Sequence, residues 1–329
     1  MSYQNTIGKP VETEGVGLHT AVHGHLRLVP APADTGIVFR RTDLENFEIE
    51  AHGKWLARVS YATSLMKKGV LLSTVEHVLA ALYACGIDNV YVELDALEVP
   101  ILDGSARPFV EMIAEAGMRP LRRRRRYLRL QRPVEIADGD RRIAAYPAEN
   151  FGVRYFIDFP HPMVGREEVE LEVNAESFSR TLAPARTFGF LEDVSRLRSM
   201  DLIRGGSLDN AIVLTRDGIM SGDLRFPDEF ARHKALDLIG DLALVGRPLK
   251  AHVVAYKGGH ALHTALVTRL LRDRSLTRES TGERFVAASA EPAPFDVEPR
   301  FAGISARPTG ARKPEQHRGS EAEPAVATD

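Results

Sequence analysis

The stretch from Asp228 to Val245 sets the strongest limit on what this chain can fold into. Asp228 follows Pro227 and is a natural N-cap, Gly246 is a natural stop, and the residues between them read as one helix. At about 3.6 residues per turn, His233, Asp237 and Asp241 recur every fourth position and project from one stripe. Leu236, Ile239 and Ala243 form a neighbouring stripe that can pack. An imidazole and a carboxylate one turn apart are what a helix offers a divalent metal of the zinc kind. Alone the pattern decides little, because such a pair on a helix face is far more often a surface hydrogen bond.

Composition narrows the chemistry open to such a site. A chain of 329 residues can bury a substantial core and is expected to form two domains. The net charge of −2 argues against a dedicated nucleic-acid binder. Cys85 is the single cysteine, which excludes an internal disulfide and a cysteine-built zinc cage. A metal must then be held by histidine, aspartate or glutamate. No apolar run is long enough to span a bilayer, and Gln4, Asn5 and Lys9 stand where a leader would need a cationic stretch before an apolar core. The expectation is a cytoplasmic protein without a membrane span.

Residues 1 to 60 read as strands and turns, including alternating segments at His25–Val29 and Gly36–Arg40. Gly15-Val16-Gly17-Leu18-His19-Thr20 is a glycine-rich bend without the Lys-Ser/Thr ending of a nucleotide loop, and His19 sits on it where a loop can face a site. Leu72 to Gly86 reads as a helix in which Ser73 and Glu76 form a capping box, with Glu76 folded back on the Ser73 backbone N–H. His77 lies in the first turn, where the positive helix end favours the neutral, metal-binding imidazole. A carboxylate beside a ligand histidine is also how a hydrolytic metal site gets its base. A strand at Asn89–Leu94, a turn at Pro100–Ser105 and a helix at Pro108–Ala116 close a first domain, residues 1–121.

Five arginines, Arg122 to Arg126, repel one another and predict an exposed linker. Strands at Tyr127–Leu130, Arg141–Tyr146, Phe151–Phe159, Glu168–Val173 and Ala251–Tyr256 belong to a second domain, residues 127–277, with a βαβ-type insert near 190–225. The turn Lys257-Gly258-Gly259 puts His260 at a strand-to-helix junction, and His263 one turn further on competes with it as a candidate. From 278 to 329 Ala, Pro, Glu, Arg and Thr dominate without apolar periodicity, which predicts a disordered tail.

Four segments occur in a telling order: Ser73-Thr74-Val75-Glu76-His77, Arg186-Thr187-Phe188-Gly189-Phe190, His233-Lys234-Ala235-Leu236-Asp237-Leu238-Ile239-Gly240-Asp241, and Lys257-Gly258-Gly259-His260-Ala261-Leu262. Together they closely resemble the UDP-3-O-acyl-N-acetylglucosamine deacetylases, the zinc amidases that commit bacteria to lipid A synthesis. The likeness covers residues 3 to 275 and takes in the bend at 15–20 and Ile101-Leu102-Asp103-Gly104-Ser105. It implies an α+β fold in which two similar α/β domains form a two-layer sandwich with helices packed between the two sheets. It also implies that His77, His233 and Asp237 hold Zn²⁺, that Glu76 is the general base, and that His260 is a charged imidazole or general acid partnered by Asp241. By the same resemblance Thr187 helps hold the oxyanion and Lys234 is a cation beside the substrate. Phe188 belongs to an acyl passage, Asp158 and Phe159 contact the uridine part, and His19 is a further substrate contact. Ala21 departs from the pattern, standing where the family's Gly-Leu-His-Thr-Gly bend has glycine.

Physical chemistry is compatible with those roles. Two neutral imidazoles and one carboxylate leave a net charge of about +1 around Zn²⁺ and a fourth position open, the catalytic and not the structural pattern. An amide is a poor electrophile, so its carbonyl must be polarised while Glu76 takes a proton from water, and the amine leaves only when protonated by His260 or Glu76. The expected partner is an acylated UDP-N-acetylglucosamine, bound by a monomer with no nucleic-acid partner, while weak membrane-surface contact through the arginines stays open. Two other readings use the same residues: a deacetylase of another N-acetyl sugar or amide, and a UDP-sugar or lipid-binding protein without turnover. Iron or cobalt could stand in for zinc.

Overall fold

The computed structural model describes residues 2–57 and 61–281. Their strands make two large sheets, one from each side of the arginine run. The five strands of the first lie in the order Val11–Val16, His23–Pro30, Val90–Leu94, Ile37–Arg41, Phe47–Glu50. Ile37–Arg41 and Val90–Leu94 are parallel and so need a crossover, which carries helix α1 (Glu76–Ala84). Buried Leu26 and Leu28 alternate with exposed His25 and Arg27, so one face of this sheet meets water and the other meets helices.

The second sheet has seven strands with Leu249–Tyr256 near its centre, antiparallel to Arg141–Pro147 and parallel to Gly152–Phe159. Val153, Tyr155 and Ile157 point to its covered face. The remaining helices follow in order: α2 (Arg107–Ala116), α3 (Ala175–Thr181), α4 (Leu191–Ser199), α5 (Glu229–Ala243) and α6 (His260–Arg272). Helix α5 lies on the strands Gly152–Phe159 and Gly165–Glu172, crosses α1 and has α6 at its side. Every residue of α1 except Tyr83 is buried, and every residue of α5 except Arg232 and Lys234. That burial is typical of helices enclosed on all sides and not of helices on a surface. The expected α+β class, with helices between sheets, is the one the chain adopts. The crossing of α1 and α5 depends on Gly240, where an added Cβ would stand 2.0 Å from the Glu76 carbonyl oxygen.

Some local expectations need correction. The Ser73/Glu76 capping box does not form: α1 starts only at Glu76, behind Thr74 in a left-handed conformation (φ 58°). The Ser73 N–H is already taken by the Leu97 carbonyl, and the Glu76 carboxylate instead accepts from the Thr63 N–H at 3.0 Å. The arginine run is not wholly a linker. Arg122, Arg123 and Arg124 complete the strand Met118–Arg124, paired with Tyr3–Ile7, because backbone pairing lets their side chains stay in water. Arg125 then pairs with Asp88 at 2.7 Å and Arg126 with Asp34 at 3.5 Å. The start of the expected tail is ordered too, since Thr277–Ser280 is a strand antiparallel to Tyr127–Leu130. Its exposed Arg278 and Glu279 gave no apolar alternation to read. Residues 282–329 of that tail lie outside the described residues. Between 188 and 214, the parallel strands Phe188–Phe190 and Ile212–Leu214 are joined through α4.

Candidate metal centre

Helix α5 supplies His233 and Asp237 one turn apart, and the first turn of α1 supplies His77 across the helix crossing. The Asp237 Oδ1 atom is 3.3 Å from His233 Nε2 and 3.6 Å from His77 Nε2. All three side chains are buried. The His233 Nδ1 donates to the Ala185 carbonyl at 3.1 Å, which fixes the tautomer and turns the Nε2 lone pair inward. The other Asp237 oxygen accepts from Lys234 Nζ at 2.9 Å, while Oδ1 has no hydrogen-bond partner. A buried acceptor left without a donor costs about 1–3 kcal/mol. The His233 Nε2 lone pair faces the unpartnered Asp237 Oδ1, the His77 Nδ1 is likewise buried without a partner, and nitrogen and carboxylate donors so placed are the set a divalent cation takes.

Electrostatics agree with that fit. Burial pushes the His233 imidazole down to about 3, so the ring is neutral near pH 7. Burial opposes charge on Asp237, yet the His233 ring and the Lys234 ammonium hold its carboxyl well below the usual range. Beside the trio, Glu76 is fully enclosed and burial raises its pKa. Its Oε1 lies 3.9 Å from His260 Nε2, which is also 3.9 Å from Asp237 Oδ2. The His260 Nδ1 donates to Asp241 Oδ2 at 2.8 Å. Burial disfavours an imidazolium there, but Asp241, with Asp237 and Glu76 behind it, outweighs burial and lifts the His260 pKa to about 9.

The other expected residues fall into two groups. Thr187, Phe188 and His19 line a cavity of about 500 Å³ walled by Phe190, Leu191, Val194, Leu197, Ile203 and their neighbours. Phe188 joins this cavity to the trio, with its ring 6.3 Å from the His233 ring and 5.4 Å from Lys234 Nζ. The buried His19 Nε2 has no partner, while His19 Nδ1 accepts from the Ile203 N–H at 3.4 Å. Phe159 meets Phe188 edge to face at 5.9 Å but does not line the cavity. Asp158, near the end of its strand, pairs with Lys257 at 3.2 Å and Arg166 at 3.5 Å. Ala21 adopts a left-handed conformation (φ 59°), the backbone state that glycine takes without strain.

Several residues that hold the site were not singled out from the sequence. Thr63 donates its hydroxyl to Asp241 Oδ1 and its N–H to Glu76. Glu98, 1% exposed, accepts from the N–H groups of His19 and Thr20 and from the hydroxyls of Thr20 and Thr74, tying the bend to the start of α1. Glu229, fully buried, accepts from the backbone N–H and guanidinium of Arg186 and so anchors the residue before Thr187. The partners named here lie 13 to 178 positions away along the chain, so no local spacing marks them.

A buried pair of imidazoles and a carboxylate, with a second carboxylate and a charged imidazole alongside, is the arrangement of a metal-dependent hydrolase. The sequence also matches the UDP-3-O-acyl N-acetylglycosamine deacetylase family (LpxC) over residues 4–272. It is 54% identical over 277 residues to the UDP-3-O-acyl-N-acetylglucosamine deacetylase of Solibacter usitatus, covering 84% of this chain and 94% of that one. Identity to the enzyme of the same name from Anaeromyxobacter sp. is 49%, over 82% of this chain and 89% of the relative. For that of Myxococcus xanthus it is 47%, over 83% and 87%. The chain belongs to this deacetylase family. No helix among the described residues is long and apolar enough to cross a membrane.

Proposed function

We propose that the chain is a Zn²⁺-dependent deacetylase that hydrolyses the N-acetyl group of UDP-3-O-(3-hydroxyacyl)-N-acetylglucosamine to a free amine and acetate, the committed step of lipid A biosynthesis. The observation that carries this reading is the convergence of His77, His233 and Asp237 with Glu76 and the His260–Asp241 pair beside one apolar cavity. Family membership supports the substrate.

His77, His233 and Asp237 would hold Zn²⁺, which when bound would supply Lewis-acid charge for polarising the amide carbonyl and acidifying water. Glu76, made more basic by burial, takes the proton from the attacking water. The Thr187 hydroxyl and the Lys234 ammonium stabilise the oxyanion as it forms. His260 holds positive charge at Nε2, 3.9 Å from Glu76 Oε1, where the departing amine needs a proton. The acyl chain occupies the cavity past Phe188, whose volume of about 500 Å³ and apolar walls suit it. His19 donates to the substrate from its unpartnered Nε2, and Asp158 and Phe159 meet the uridine part. A nucleotide-sugar substrate supports a cytoplasmic enzyme, and we read the chain as a monomer.

Acetate release measured together with metal content tests the proposal. The expected outcome is release from the acylated nucleotide and none from UDP-N-acetylglucosamine. Release from both would instead mark a broader deacetylase, and nucleotide binding without acetate a binding protein. His260→Ala should lower kcat by about 10²–10⁴-fold, the usual worth of a positioned proton donor, with the bound metal retained. A metal-free His260→Ala protein would place His260 among the ligands.

A further inference from the structure

We propose that His263, held by Tyr155, is a positioning residue for the reaction, fixing the Asp241 carboxylate that in turn fixes His260. The inference rests on the hydrolysis proposed above and extends it to two residues outside the recognised motifs. His263 lies one turn beyond His260 on α6 and is completely buried. Its Nδ1 and the His260 Nδ1 both stand 2.8 Å from the same Asp241 oxygen, Oδ2. The Thr63 hydroxyl occupies the other oxygen. On the far side of the His263 ring, Nε2 is 3.0 Å from the Tyr155 hydroxyl.

The proton positions in this chain follow from elimination. Asp241, ionised and fully buried, can only accept, so His263 must carry its proton on Nδ1. The His263 ring is neutral, since burial, with the neighbouring His260 charge adding to it, lowers its pKa despite Asp241. Its Nε2 is then a bare lone pair, and the Tyr155 O–H is the donor that fills it. Tyr155 keeps that proton because burial raises the phenol well above its ordinary pKa. The direction is thus fixed from Tyr155 to His263 to Asp241, with His260 donating to the same carboxylate from the other side.

Two features make this more than a satisfied core histidine. At Gly258 an added Cβ would stand 2.8 Å from the Tyr155 hydroxyl oxygen and 3.2 Å from His263 Nε2, so the turn before His260 leaves room for this contact. With His263 removed, Asp241 Oδ2 keeps His260 as its single donor, and only that contact and the Thr63 hydroxyl on Oδ1 still resist a turn of the carboxylate that would carry His260 with it. The cluster of Asp241, His260 and His263 is not a second metal site on this reading, because both Nδ1 protons already fill Oδ2.

The test uses the full-length metalloenzyme with His263→Leu, Tyr155→Phe, and each combined with His260→Ala. Expected are a kcat lowered at least tenfold by His263→Leu and several-fold by Tyr155→Phe, with KM within twofold and bound metal unchanged. In the His260→Ala background both substitutions should lose their effect, since they act through His260. Equal fold-losses in both backgrounds, a wild-type kcat for His263→Leu, or metal lost with His263 would each overturn the proposal. Should His263→Leu fail to fold, Tyr155→Phe, which removes one oxygen, decides by the same comparison. An activity-independent reading comes from long-range ¹H–¹⁵N spectra of the imidazoles. The Nδ1–H tautomer of His263 is expected in the wild type, and an Nε2–H tautomer would overturn the proposal. If the wild type released no acetate, the hydrolysis reading would fail and the kinetic role of His263 with it, while the tautomer would still decide whether His263 holds Asp241.

Discussion

Four donors meet the two oxygens of Glu98, and the carboxylate form is what they require. Glu98→Gln would turn an amide NH₂ toward an N–H that donates, leaving donors face to face at a cost of about 1–3 kcal/mol. We expect a lower urea midpoint and, because the bend carries His19, a larger rise in KM than fall in kcat. An unchanged KM would separate Glu98 from substrate binding. Glu167 presents the opposite environment. Half-buried, and near Asp228 and Glu229, its carboxyl is pushed up to about 7 by burial despite the Ala231 N–H it accepts at 2.9 Å. A raised acid pKa means stability fully present below the unfolded value of 4.5 and lost as pH rises through about 7. Wild type should therefore lose stability relative to Glu167→Gln between pH 5 and 8 in paired urea melts, and parallel curves would refute the shift. His233 and Asp237 could be read from the sequence because one helix sets their spacing. Glu98 and Glu167 could not, because their partners come from other segments of the chain.

At the scale of elements, α1, α2, α5 and α6 and several strands were legible from periodicity, with errors at their ends, whereas α3 was not read and α4 was expected only within a βαβ-type insert. The α5 reading survives within a residue or two at each end, yet the Asp228 side chain does not cap it and instead accepts from Arg232 at 2.6 Å. The Ser73/Glu76 pair fails as a box for a related reason: the tertiary partners Leu97 and Thr63 outcompete the local ones. What no periodicity could show is the distance between α1 and α5. Gly240 sets it, because the atoms an added Cβ would meet, the Glu76 oxygen at 2.0 Å and carbon at 2.7 Å, are backbone and cannot rotate aside. Gly240→Ala must push the helices apart, at about 1–3 kcal/mol or more for overpacking. The same movement separates His77 from His233 and Asp237. A lowered Tm and a metal affinity at least tenfold weaker are expected from melting and metal titration, and a variant that melts lower but binds metal normally would uncouple the crossing from the centre.

Across the whole molecule, the trio is a bridge between layers. His77 rides on α1, within the crossover of the first sheet, while His233 and Asp237 ride on α5, which lies on the second. On the proposed reading, a cation gripped by all three would tie these layers together in the folded state and have no comparable grip on the unfolded chain. Its contribution follows mass action, about 2.7 kcal/mol when free metal is one hundred times its Kd. Removal leaves Asp237 Oδ1 buried and unpaired between two imidazoles, which works in the same direction. A chelator should therefore lower the Tm, and re-added Zn²⁺ should restore it. His77→Ala removes the α1 side of the bridge, so its Tm should already be low and respond little to chelator. If chelation left the wild-type Tm unchanged while acetate release vanished, the ion would serve chemistry without joining the layers. Two buried helices would then hold the sheets together through apolar packing and the Gly240 contact alone.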